Sequence, residues 1–139
     1  MASTVVIIGA TGDLTGRKLV PALFALYSKG RLSDDTRIVG VARTPMADDE
    51  FRTKMQGGVR EFAAKEWDAT RWESFARRLF YVPGDATRAD GLAALRIWLG
   101  KLEGTEGGKR LYYLAVAPDR YGEIATRLGE AEMTREDGG

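Results

Sequence analysis

Hydrophobic residues along this chain fall into two alternating kinds of run. Short continuous blocks rich in β-branched residues span Val5 to Ile8, Arg37 to Ala42, Leu79 to Val82 and Arg110 to Val116, and turn residues such as Gly9, Pro45 and Pro83-Gly84-Asp85 follow the first three. Blocks of this kind suit strands buried on both faces of a parallel sheet. Between them lie amphipathic stretches. Leu14, Leu19, Ala22, Leu23, Leu26 and Tyr27 recur at three- and four-residue spacing and predict a helix ending near Gly30, with Pro21 expected to remove one hydrogen bond and kink it. A second helix is predicted over Ala47 to Ala63, where Gly57 and Gly58 cost about 1 kcal/mol each relative to alanine and mark a point of possible breakage. Further helical segments are predicted over Trp72 to Arg78, Ala86 to Leu102 and Asp119 to Met133.

Strands alternating with helices imply right-handed crossovers and a doubly wound, Rossmann-like α/β fold: a parallel sheet of about four strands with helices on both faces. In the usual six-strand order the fourth strand lies beside the first, with two more outside it. The chain is read as one incomplete dinucleotide-binding domain over residues 1–139, whose fourth strand has an open outer edge.

Composition narrows the function classes. The 21 basic and 20 acidic side chains give a net charge of +1, which directs the chain to neither nucleic acid nor a membrane surface. No apolar run approaches the roughly 20 residues of a membrane helix. The start of the chain carries no basic leader, and with no cysteine a cytoplasmic location is expected. Absence of cysteine excludes thiolate metal sites and nucleophiles. Absence of histidine removes the commonest general base near neutral pH.

The segment Gly9-Ala10-Thr11-Gly12-Asp13-Leu14-Thr15 stands where the first strand hands over to the first helix. Glycines there let the backbone turn tightly and bring a pyrophosphate to the positive end of the helix; a tight turn with Asp13 as helix cap would use the same residues. At the end of the second strand an NAD site usually carries an acidic residue for the ribose hydroxyls. Here Arg43 and Thr44 follow Ala42, a fork and a hydroxyl suited to a 2′-phosphate, so NADP⁺ is expected over NAD⁺. Trp67, Trp72 and Trp98 read as packing, as does at least one of Tyr112 and Tyr113.

The run from Gly9 to Phe24 (GATGDLTGRKLVPALF) resembles the N-terminal signature of the glucose-6-phosphate dehydrogenases, and the likeness accounts for Pro21. It continues through Ile38 to Thr44, Tyr81 to Asp85 and Leu111 to Pro118, in the family's order; Ala117 and Gly16 depart from the pattern. The resemblance implies a cofactor site of Gly9, Ala10, Thr11, Gly12, Asp13, Leu14, Arg43, Thr44, Ala115 and Tyr121, with Lys18 as a glucose 6-phosphate contact. It also implies the oxidation of glucose 6-phosphate to 6-phosphogluconolactone, the first step of the pentose phosphate pathway. The family's Glu-Lys-Pro-Phe-Gly and Asp-His-Tyr-Leu-Gly-Lys segments, which carry its substrate lysine and catalytic histidine, do not occur here, so cofactor binding without turnover is expected. A partner chain, as from a split gene, could supply what is missing, and a homo-oligomer is left open.

A stand-alone NADP-binding regulatory module remains an alternative, although such modules place a third glycine where Thr15 stands. A short-chain reductase does not. Four residues after Tyr27, Tyr81, Tyr112, Tyr113 and Tyr121 come Arg31, Asp85, Val116, Ala117 and Ala125, and none supplies that family's lysine.

Overall fold

The computed structural model describes residues 3–10, 18–32, 35–85, 88–103 and 109–114, together with Gly122, Ile124 and Thr126. In chain order the elements are β1 (Ser3–Ile8), α1 (Val20–Ser28), β2 (Thr36–Ala42), α2 (Asp48–Phe62), α3 (Ala69–Ala76), β3 (Leu79–Pro83), α4 (Ala89–Glu103) and β4 (Lys109–Leu114). All pairings are parallel and the sheet order is β3-β2-β1-β4. The doubly wound fold expected from the alternating pattern is therefore present, with β4 beside β1.

Helices lie on both faces of the sheet, and each strand sends alternate side chains to opposite sides. Ile7, Ile38, Leu79 and Tyr81 face α1, α2 and α3, and meet Phe24, Phe51, Met55, Val59 and Phe75. Val6, Ile8, Val39, Val41 and Val82 face the other way, against Leu92, Leu95 and Leu99 of α4 and against Ile124. Arg37 ties this second layer together by donating from Nη1 to the Leu102 carbonyl at 2.8 Å, a cation where the last carbonyls of α4 lack helical partners.

Local chemistry explains where the helices begin and end. The α-helix proper starts at Val20, after a wider π-type turn at Lys18 and Leu19, so Pro21 sits in its first turn. Proline is well tolerated in a first turn, and the stretch from Leu14 to Arg17, where the predicted helix begins, lies outside the described residues. Gly30 closes the helix at φ +71°, with the Arg31 N–H donating to the Leu26 carbonyl at 2.9 Å. Helix α2 runs unbroken through Gly57 and Gly58. Burial of Met55 and Val59 on either side outweighs the glycine penalty. Helix α3 starts earlier than the apolar spacing suggested, because the Asp68 carboxylate accepts the Arg71 N–H at 3.2 Å and caps it at Ala69. Trp72 is buried, and Trp67 and Trp98 pack against the two layers from half-buried positions, as expected.

The two edges of the sheet differ. Leu79 and Tyr81 turn their backbone groups outward from β3, and α2 answers both: Arg52 Nε donates to the Leu79 carbonyl at 2.9 Å, and Asp48 Oδ1 accepts the Tyr81 N–H at 2.7 Å. This side-chain ladder blunts the edge as a strand would. On β4, Tyr112 turns toward α4 while Leu111 and Tyr113 face the other side at 63% and 42% exposure. No strand among the described residues pairs with its outer edge. The last predicted helix, over Asp119 to Met133, lies largely outside the described residues; Gly122, Ile124 and Thr126 are helical.

Candidate functional site

Register brings the site together. Ile8 pairs with Val41 on one side and with Leu114 on the other, so β1, β2 and β4 reach their carboxyl ends at one level. The strand order reverses between β1 and β4, since β2 and β3 lie on one side of β1 and β4 on the other. In open α/β sheets ligands bind in the crevice outside such a switch point.

Gly9 leaves β1 at φ 90°, a conformation costly for any side chain. Its N–H donates to the Val41 carbonyl at 2.8 Å and the Ala10 N–H to the same oxygen at 3.1 Å. These two amides are therefore used in shaping the turn. Ala10 is fully buried beneath the turn. The fit depends on Gly40 of β2, where an added Cβ would stand 2.8 Å from the Ala10 Cβ and 2.7 Å from Phe51 Cζ.

At the end of β2, Arg43 and Thr44 are exposed. Among the described residues Arg43 forms no ion pair. Tyr81, one strand away, reaches the same segment: its hydroxyl is 2.6 Å from the Thr44 carbonyl and 3.2 Å from that of Ala42. Spacing alone did not single out Gly40 or Tyr81, although both lie in segments that carry the family resemblance. The usable signal was alternation, since Leu79 and Tyr81 share one face of β3 and Tyr81 stands next to Gly40 in register.

Of the residues expected at the site, Gly9 and Ala10 are at the end of β1, and Arg43 and Thr44 at the end of β2. Lys18 is exposed ahead of α1. Thr11, Gly12, Asp13, Leu14, Ala115 and Tyr121 lie outside the described residues; Ala115 directly follows Leu114, the last residue of β4. Among the described residues no cluster of three metal-binding side chains occurs, and no helix is long and apolar enough to cross a membrane.

Burial pushes the Tyr81 phenol above its ordinary value, which is about 10. The folded state therefore favours the protonated form. This contribution is complete below about pH 10 and is lost as pH rises through the raised folded value. In urea titrations between pH 7 and 11, the wild-type midpoint should fall more steeply above about pH 10 than that of Tyr81→Phe. Parallel declines would show that the phenol is not coupled to folding.

A four-stranded parallel sheet with a glycine turn at its switch point defines the doubly wound nucleotide-binding class. Within that class, residues 6–139 match the family model described as glucose-6-phosphate dehydrogenase, NAD binding domain, and the chain belongs to this family. It is 40% identical over 131 residues to the glucose-6-phosphate 1-dehydrogenase of Chlamydia muridarum, covering 92% of this chain and 26% of that protein. Its identity to the Chlamydia pneumoniae enzyme of the same name is 41% over 130 residues, covering 92% of this chain and 25% of that protein. Among solved structures it resembles a glucose-6-phosphate dehydrogenase in complex with its substrate glucose 6-phosphate, with a TM-score of 0.82 and 29% identity, over 93% of this chain and 27% of the other. The chain thus spans about a quarter of the length of the curated relatives it matches.

Proposed function

We propose that the chain binds NADP⁺ across the carboxyl ends of β1, β2 and β4, as the nucleotide-binding part of a glucose-6-phosphate dehydrogenase. One observation carries the choice of cofactor: a cation, Arg43, occupies the end of β2 where an acid would receive the ribose hydroxyls of NAD⁺. The donor set fits a 2′-phosphate, with a guanidinium outside any described ion pair and a threonine hydroxyl beside it. Gly9 and Ala10 shape the turn, and the pyrophosphate meets the amides of Thr11, Gly12, Asp13 and Leu14. Ala115 and Tyr121, following β4, border the nicotinamide half. Lys18 serves as a contact for the phosphate of the sugar substrate.

When bound, the dinucleotide supplies the hydride acceptor at its nicotinamide ring. The chain's own residues hold and orient it. Removing the proton of the sugar C1 hydroxyl needs a base, and no histidine in the sequence can serve. Binding without turnover is therefore expected of these 139 residues, with catalysis requiring residues from a partner chain or a further segment. A cytoplasmic location accords with the absence of cysteine.

Calorimetric titration with NADP⁺ and NAD⁺, run beside a hydride-transfer assay with glucose 6-phosphate, tests this reading. Arg43→Ala should weaken NADP⁺ by about 1–3 kcal/mol and leave NAD⁺ nearly unchanged. Equal losses for the two nucleotides would remove the 2′-phosphate assignment.

A further inference from the structure

We infer that the Tyr81 hydroxyl is a positioning group for cofactor choice, holding Arg43 in place by binding the backbone on both sides of it. The inference rests on the assignment of Arg43 to the 2′-phosphate. Tyr81 itself stands away from the ligand: it is 4% exposed and lies on the inner face of β3. Its O–H is shared between two acceptors, the Thr44 carbonyl at 2.6 Å and the Ala42 carbonyl at 3.2 Å. Ala42 has a second partner, since its carbonyl also accepts the Gly84 N–H at 2.8 Å. Thr44 is the residue whose place depends on the phenol.

The donor is itself held from three directions. Its backbone N–H is bound by Asp48, its ring packs on Phe51 at a centroid distance of 5.2 Å, and β3 is in register with β2 from Ile38 to Ala42. Arg43 therefore sits between two anchored residues. The arginine follows the end of a strand and is exposed, so without the second anchor its segment would sample many directions and the guanidinium would be ordered only on binding. Ordering such a segment beforehand reduces the entropy lost on association. Only a ligand that uses the guanidinium gains from this. NADP⁺ does, and NAD⁺, with free ribose hydroxyls, does not.

A general loss of structure would weaken both nucleotides alike, so the test reads their ratio. NADP⁺ and NAD⁺ are titrated calorimetrically into the wild-type chain, Tyr81→Phe, Arg43→Ala and the double variant, at a temperature where circular dichroism shows each to be folded. Tyr81→Phe should weaken NADP⁺ about five- to tenfold, the scale of one hydrogen bond, and leave NAD⁺ within about twofold. In the Arg43→Ala background the same substitution should change NADP⁺ affinity by less than about twofold, because no guanidinium remains to be positioned. Equal weakening of both nucleotides by Tyr81→Phe, an unchanged NADP⁺ affinity, or an undiminished effect in the Arg43→Ala background would each overturn the inference. If Arg43→Ala is selective for NADP⁺ while Tyr81→Phe is not, only the positioning role falls. If Arg43→Ala is itself unselective, the 2′-phosphate assignment falls and the positioning role with it.

Discussion

Phe24→Ala should lower the stability of the chain by about 3–5 kcal/mol, the cost of truncating a fully buried aromatic residue. Phe24 is 0% exposed at the centre of the helical layer that covers β1 and β2. Its ring centroid lies 5.4 Å from that of Phe75 in an edge-on arrangement, 5.9 Å from Trp72 and 6.4 Å from Trp67. Two helices, α1 and α3, and the turn before α3 therefore meet on one side chain. Domains of this size have about 5–15 kcal/mol in total, so much of the margin would go. Urea unfolding followed by tryptophan fluorescence checks it, because Trp67 and Trp72 border the cavity that would form. A loss below about 1 kcal/mol would mean that the neighbouring rings collapse into the space.

Gly40→Val should affect both folding and binding. The new side chain would begin 2.7 Å from Phe51 Cζ and 2.8 Å from the Ala10 Cβ, and neither neighbour has room to retreat, since both are 0% exposed. Overpacking of this kind costs about 1–3 kcal/mol. Displacement of Ala10 moves the turn at Gly9, so NADP⁺ and NAD⁺ should be weakened together by about tenfold or more, equivalent to about 1.4 kcal/mol. This outcome contrasts with the selective loss expected for Arg43→Ala. A folded Gly40→Val chain with unchanged affinity for both nucleotides would show that the turn is not part of the binding site.

The sequence was most legible where one local rule sufficed. Apolar runs such as Val5 to Ile8 and Ile38 to Ala42 marked their strands because burial on both faces leaves no polar position in the pattern. The family was legible from the segments around Gly9, Ile38, Tyr81 and Leu111, which follow one another in the right order. Helix boundaries were less accessible. Pro21 suggested a kink in a helix from Leu14; residues 14–17 lie outside the described residues, and a π-type turn at Lys18 and Leu19 stands directly before the first turn of α1 that holds the proline. Gly57 and Gly58 suggested a break, whereas packing of Met55 and Val59 carries α2 across them. For the two glycines a propensity of about 1 kcal/mol each was read without its tertiary setting.

The sequence by itself determined the class of fold, the family and the presence of a cation at the end of β2, since each depends on residue type and order along the chain. Only the tertiary structure decided how that cation is held. The hydrogen bond from Tyr81 to Thr44 spans 37 residues, and the contact that requires glycine at position 40 joins β2, α2 and the turn after β1. Neither leaves a periodic trace in the sequence, because a side chain recognises a carbonyl by distance and direction, and those are set only when β3 aligns with β2 and α2 packs against both.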